Sequence, residues 1–287
     1  MSKFFNKNAG YFFIAPQLIL MFIFIIVPVI RGFQMSAYSS YGRTEVFVGW
    51  DNYKFLLEDP VFRKAILNTI VFVIAIVILT IAVALFVSTT VFEKNQKYVS
   101  FIRTSYYLPV MVSMLVMSII WAMLLNPAYG SITWVLEQIG FEGVNLIGNE
   151  KTVMPVIIFV TFIGNVGQAI LIYIATMIGI PQDYFEAAQL DGATRWERIR
   201  YIIIPLVKPT TIYLVITNII AVLKIFVVIQ QLTGGGPNNA SVTMMYYLYQ
   251  NAFVYNRSGV AAAIGVMMFI IALVFSIPQM RSYLREE

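Results

Sequence analysis

The stretch from Tyr184 to Thr210 reads YFEAAQLDGATRWERIRYIIIPLVKPT, the most charged piece of an otherwise apolar chain, and lies between two hydrophobic segments each long enough to cross a bilayer. Its spacing predicts two short helices. Asp183-Tyr-Phe-Glu186 has the pattern of a capping box, with Asp183 accepting from the third helical amide and Glu186 reaching back. A first helix of about two turns then runs through Ala187, Ala188 and Leu190 and ends at Gly192, which tolerates a positive φ. Thr194-Arg-Trp-Glu197 repeats the capping-box spacing and opens a second helix through Ile199 and Tyr201, which Pro205 should stop or kink. The stretch is thus a polar helix–glycine turn–helix elbow, and a structured polar connector in an oily chain is built to touch something.

Around it, 60% of the 287 residues are hydrophobic and 11% are charged, too few polar side chains to cover a soluble globule of that size. The class is an all-α polytopic membrane protein. With no cysteine and no histidine, disulfides, thiolate chemistry, His-ligated metals and histidine proton relays are excluded. No metal site or cofactor is expected.

Uncharged runs mark the spans against the roughly 20 residues a helix needs to cross the hydrocarbon. The first is centred on Ile14 to Ile30; its basic flank resembles a signal peptide, but the run is long and lacks a small-residue cleavage site, so it reads as a helix. The second covers Ala65 to Phe92. The third starts after Arg103, and Asn126-Pro127-Ala128-Tyr129-Gly130 should end it in a loop. The fourth covers Thr152 to Ile180, the fifth follows Pro209 with Lys224 inside it, and the sixth covers Ser258 to Met280. Six spans place both termini on one side. Residues 1–287 read as a single transmembrane domain, with 181–208 as a loop within it; no repeat or linker marks a second domain.

The positive-inside rule orients the chain. With the amino terminus in the cytoplasm, the inner segments hold eleven basic residues: Lys3, Lys7, Lys94, Lys97, Arg103, Arg195, Arg198, Arg200, Lys208, Arg281 and Arg285. The outer segments hold seven: Arg31, Arg43, Lys54, Arg63, Lys64, Lys151 and Arg257. Both termini and the elbow are therefore expected in the cytoplasm, and the net charge of +5 needs no nucleic acid to explain it.

Nothing resembles an active site. No GxxxxGK[ST] loop is present, so the chain does not hold ATP in the usual way. Gly234-Gly235-Gly236-Pro237 is followed by no helix opening on a lysine and reads as a flexible turn ending the fifth span. No Asp or Glu lies in any span, which argues against ion coupling, and Lys224 is the one charge well inside. Neutral hydrogen-bonding groups do occur there: Thr161, Asn165 and Gln168 share a face of the fourth span, and Asn218, Gln230 and Gln231 lie on the fifth. They serve interhelical packing or a solute pathway. The small residues Gly259, Ala261, Ala263 and Gly265 predict close helix packing.

Glu186-Ala187-Ala188, Asp191-Gly192-Ala193 and Ile204-Pro205 together resemble the EAA loop of permease subunits in bacterial binding-protein-dependent ABC importers. Leu232-Thr233-Gly234-Gly235-Gly236-Pro237 with Ala240 is similar to the segment that marks the carbohydrate uptake type 1 branch. With Asn68-Thr69 and Leu108-Pro109, the likeness covers most of the chain. It implies the type I importer permease fold, six transmembrane helices with a cytoplasmic coupling-helix loop, in the bacterial inner membrane. It further implies a non-catalytic subunit forming half of a sugar pathway. Its expected partners are a second homologous permease, two cytoplasmic ATPase subunits, an external solute-binding protein and the carbohydrate.

By the same resemblance Glu186, Ala187, Ala188, Asp191, Gly192 and Pro205 couple to the ATPase. Likeness to maltose permeases places solute contacts at Thr161, Gly164, Asn165 and Gln168, and at Asn218, Val222 and Ile225. Val222 and Ile225 are apolar where the maltose relative has amides, which points to a different saccharide, probed by neutral groups that suit hydroxyls. Lys224 either contacts the solute or pairs with a helix of the second permease. A polyol or glycerol-phosphate permease is the nearest alternative, and an ion-coupled secondary carrier a more distant one.

Overall fold

In the computed structural model, which describes residues 13–41, 44–141 and 143–283, the uncharged runs are helices. Lys3, Lys7, Arg43 and Arg285, four of the residues that set the charge bias, lie outside the described residues. Among the described residues, four helices are long and apolar enough to cross a membrane: α1 Phe13–Ser36, α3 Pro60–Val91, α7 Val153–Ile178 and α13, whose apolar part is Ser258–Ile277. Two bent pairs supply the remaining candidates, α4 Gln96–Met111 with α5 Met114–Leu124 and α9 Arg195–Leu206 with α10 Lys208–Leu223, giving six spans if each pair is one.

The chain divides into two compact units, one made of residues up to Pro60 with Tyr247–Ile270, the other of Val61–Tyr246 with the residues from Ile271 onward. In the first, α1 is apolar and exposed along most of its length. It leads into an antiparallel hairpin, β1 Tyr38–Tyr41 and β2 Thr44–Phe47, and then α2 Asp51–Glu58. Asn52 Nδ2 donates to the carbonyls of Ser36 at 2.8 Å and Tyr38 at 2.9 Å, tying α2 back to the end of α1. A Cβ on Gly259 would collide with the Tyr38 carbonyl oxygen, so the small-residue stripe of α13 Ser258–Tyr283 does serve close approach. Burial above all, and then its hydrogen bond to Asp59, push the Tyr247 phenol up to about 12, so it stays a neutral donor.

In the second unit α3 is 32 residues long, about 48 Å at 1.5 Å per residue. It packs with α4, α7, α9 and α10 around a core of Ala84, Val99, Ile170, Tyr173, Met177, Ile203 and Leu214. The Tyr173 hydroxyl is 2.9 Å from Thr211 Oγ1, and Ser88 Oγ donates to the Ile170 carbonyl, so the buried polar atoms at these crossings are paired. α4 reaches α7 at Gly167, where a Cβ would collide with the Tyr106 carbonyl oxygen. Downstream of α5 lies α6 Ser131–Gln138; after α10 come α11 Val227–Leu232, which packs on α5 and α7, and α12 Met244–Tyr249.

Three expectations give way to a different geometry. The third span is not one straight helix: α4 and α5 meet at 91°. Pro109 removes an amide from the last turn of α4, the chain opens at Val112, and Ser113 restarts the helix by accepting from the Val116 amide at 3.3 Å. Pro205 does not stop α9, because a π turn at Ile199–Ile203 precedes it and it sits in the first turn of the next helical segment, where its missing N–H costs little. The 63° bend falls at Val207, and Pro209 opens α10. Lys224 lies at the exposed C-terminal cap of α10, at the break before α11, not inside a continuous helix.

Replacing Gly167 with Leu should overpack the α4–α7 crossing. The expected cost is about 1–3 kcal/mol, read as a lowered unfolding midpoint of the purified protein in detergent. Relaxation around the new side chain is restricted because the obstructing atom belongs to the backbone.

Candidate functional site

The elbow is built by local chain chemistry at both of its caps. α8 Gln182–Leu190 begins two residues earlier than its sequence suggests, with Pro181 as N-cap and no side-chain cap bond, so the expected Asp183–Glu186 capping box is not made. Asp183 instead lies in the first turn, where a carboxylate favours the helix dipole. At the other end Ala193 N donates to Ala188 O at 2.9 Å and Gly192 N to Gln189 O at 3.1 Å, the paired bonds of a Schellman turn, with Gly192 at φ +74°. The second capping box is present: Thr194 Oγ1 accepts from the Glu197 amide at 3.4 Å, and Glu197 Oε2 accepts from the Thr194 amide at 2.7 Å. The hydrogen bonds from the Thr194 hydroxyl and then the Thr194 amide hold the Glu197 carboxyl below the usual carboxylate range.

Ion pairs and a ring contact fasten this elbow to the end of α3. Arg195 Nη2 donates to the carbonyls of Thr89 at 3.2 Å and Thr90 at 2.9 Å, which α3 leaves without intrahelical donors. Glu93, just beyond α3, sits 3.6 Å from Arg195 Nε and 3.2 Å from Arg198 Nη1. Phe185 packs on Phe92 with ring centroids 5.7 Å apart. Much of the elbow is nevertheless open: Glu186, Ala187, Asp191, Gly192 and Pro205 are exposed, Ala188 is half-buried, Leu190 is 90% exposed and Trp196 75%. A groove of about 550 Å³ beside the elbow is lined by Glu93, Lys94, Phe185, Glu186, Gln189 and Arg198 among others. Sequence pattern marks Glu186 and Gly192, whereas Glu93, Arg195 and Arg198 carry no pairing signal because about a hundred residues separate the partners in sequence.

The Gly234–Val242 loop is not the flexible turn that its glycines suggest but a heavily bonded one. Asn68 Nδ2 donates to Asn239 O at 3.1 Å and Val242 O at 2.9 Å, Thr69 Oγ1 accepts from the Met244 amide at 3.0 Å, and Lys64 Nζ donates to Asn238 O at 2.7 Å. Thr233 and Ser241 bridge through their hydroxyls at 2.8 Å, and Ser241 Oγ donates to Gly236 O at 2.8 Å. Gly235, at φ +85°, has no room for a side chain, since a Cβ would lie 2.7 Å from Val242 Cγ2 and 2.8 Å from Tyr246 Cε1. Asn68 and Thr69 thus fix this loop to the first turns of α3.

The polar groups within the spans divide by exposure. On α7, Thr161 is buried and its hydroxyl has no hydrogen-bond partner, Gly164 and Asn165 are half-buried and Gln168 is exposed. Asn165 Nδ2 donates to Thr161 O at 2.7 Å and Asn218 Nδ2, on α10, to Leu214 O at 2.8 Å, each an i to i−4 bond within its helix. Val222 and Ile225 are buried within the subunit, while Lys224 is exposed. Thr243 Oγ1 caps the break after Lys224 by donating to Ile225 O at 3.2 Å. Apart from Asn165 and the Thr161 carbonyl, no side-chain hydrogen bond joins members of this set among the described residues.

Residues 92–281 match the family described as binding-protein-dependent transport system inner membrane component. The chain is 30% identical over 283 residues to a probable ABC transporter permease protein, YurN, of Bacillus subtilis, with 97% of each covered. It is 30% identical over 276 residues to the arabinooligosaccharides transport system permease protein AraP of the same organism, covering 95% of this chain and 87% of AraP. Its fold matches, at a TM-score of 0.87 and 24% identity, a chain in the crystal structure of a bacterial ABC transporter involved in import of the acidic polysaccharide alginate, with 99% and 98% covered.

Two outcomes check this geometry. Thr69→Val, nearly isosteric, strands the buried Met244 amide and should cost about 1–3 kcal/mol, seen as a lowered thermal midpoint. Because the Glu197 pKa is depressed on folding, its support of the elbow is complete above the ordinary carboxylate range and is lost as pH falls through the lowered value. Amide exchange at 195–198, corrected for intrinsic rates, should therefore lose protection at acid pH, and Thr194→Ala should show that loss at neutral pH.

Proposed function

Because the chain belongs to the family of binding-protein-dependent transport system inner membrane components, we propose that it is one of two permease subunits of an ABC importer for a neutral oligosaccharide, coupled to its ATPases by the elbow. The carrying observation is the elbow itself, fastened to the end of α3 while Glu186, Ala187, Leu190 and Trp196 stay exposed. A membrane protein with no nucleotide loop of its own needs such a surface to receive work done elsewhere. The positive-inside count supports a cytoplasmic elbow with both termini on the same side.

The mechanism follows from that placement. ATP-driven closure of two cytoplasmic ATPases moves the elbow; α3, α7, α9 and α10 share one core with it and move as a packed group. The pathway to an outer solute-binding protein opens as a result. Asn165 and Gln168 on α7, and Asn218 with Lys224 at the end of α10, offer hydrogen-bonding groups to the solute; Gly164 brings no side chain, and Thr161, buried, lies behind them. Val222 and Ile225 act behind this surface, through packing. The oligosaccharide class is supported by AraP, whose name states arabinooligosaccharides, and by the uncharged lining; one lysine is a poor cradle for a phosphorylated polyol.

Glu186→Ala removes the carboxylate offered to the ATPase, and Gly192→Asp forces a side chain into a left-handed turn. Each should lower uptake roughly 5- to 150-fold, the scale of a coupling free energy of about 1–3 kcal/mol, while the permease still reaches the membrane. ATP-independent uptake that survives both changes would instead support a secondary carrier. Competition by sugars and by glycerol phosphate separates the two solute classes.

A further inference from the structure

α3 is bonded at both of its ends to the two segments that set this chain apart. At its start, Lys64, Asn68 and Thr69 hold the Gly234–Val242 loop and the Met244 amide. At its finish, the Thr89 and Thr90 carbonyls and Glu93 hold Arg195 and Arg198 of the elbow. Between these ends run 32 residues with no glycine and no proline after Pro60, so the helix has no internal hinge.

The geometry points to Glu93 as a positioning residue that locks the elbow to α3, making α3 the rod that carries displacement between the Gly234–Val242 loop and the elbow. This rests on the importer reading above. Three physical features favour it. The guanidinium of Arg195 bonds two backbone carbonyls and the Glu93 carboxylate together, so α8 and α9 cannot rotate away from α3 without breaking all three contacts. Glu93 divides its two oxygens between two arginines on successive turns of α9, fixing the orientation of that helix as well as its distance. The side chains of Glu93 and Arg198 are only 25% and 23% exposed, so water screens the pair less than a surface one. A single residue placed like this transmits force in both directions, whichever side moves first.

The test uses the assembled importer in liposomes, with its ATPases and external binding protein, and measures sugar taken up per ATP hydrolysed. The variants are Glu93→Gln, Arg198→Gln and the double variant that combines them. Each single change is expected to lower the uptake-to-hydrolysis ratio at least about fivefold, and the double variant to lower it by clearly less than the product of the two single losses, because both remove the same contact. A ratio unchanged in the singles, or losses that simply multiply in the double variant, overturns the inference. So does failure of the singles to assemble, which would assign the pair to folding alone. Absence of ATP-dependent uptake in the unaltered importer would strike the importer reading instead, so the two failures are distinguishable.

Discussion

Within hydrocarbon no water is present to satisfy a stranded amide or carbonyl, so a helix can break only where the protein itself supplies the missing partner. At the ends of the spans as well as within them, the chain supplies many of the missing partners itself. α3 ends where Arg195 meets the Thr89 and Thr90 carbonyls. α5 restarts where Ser113 accepts its first free amide. The break after α10 is met by Thr243 at the Ile225 carbonyl, and the Gly234–Val242 loop by Asn68, Thr69, Thr233 and Ser241. Most of these irregular points are also cross-links between segments distant in sequence. Irregularity and coupling are the same structural feature seen from two sides.

What is legible in the sequence follows from how local each determinant is. Span positions depend on runs of uncharged residues, and α3, α7 and α13 fall where those runs predict. The turn at Gly192 and the cap of Thr194 with Glu197 involve neighbours within five residues, and both are present. Asp183 misleads because the helix already starts at Gln182, with Pro181 as N-cap, which leaves Asp183 inside the first turn. The 91° bend between α4 and α5 is not legible, since Pro109 permits a break without requiring one and only packing against α7 decides. Lys224 reads as intramembrane because the sequence runs two helices together. The Glu93 cluster joins side chains about a hundred residues apart, and no periodicity encodes that. Of the candidate pathway residues, Asn165 and Gln168 on α7 present polar surface, whereas burial of Val222 and Ile225 depends on tertiary contacts that the sequence does not display.

The distribution of charge fits the division of labour proposed for this subunit. Its apolar spans are nearly free of charge, the Gly234–Val242 loop is held chiefly by amides and hydroxyls with Lys64 and Glu150 beside them, and two of the ion pairs among the described residues lie at the elbow. Neutral groups recognise a hydroxylated solute without trapping it, while ionic and forked contacts hold two helices in one orientation under load. In the proposed assembly, the exposed apolar side chains Leu190 and Trp196 offer hydrophobic surface to a separate subunit.

Site-specific cross-linking tests the central claim most directly, and the natural absence of cysteine makes it clean. Single cysteines introduced as Leu190→Cys in the elbow and Asn239→Cys in the opposite loop would be presented with a bifunctional thiol reagent in the assembled importer. The account predicts a product between Leu190→Cys and the ATPase whose yield changes with ATP, and a product between Asn239→Cys and no cytoplasmic subunit. An ATPase product from Asn239→Cys, with none from Leu190→Cys, would contradict both the orientation and the role assigned to the elbow.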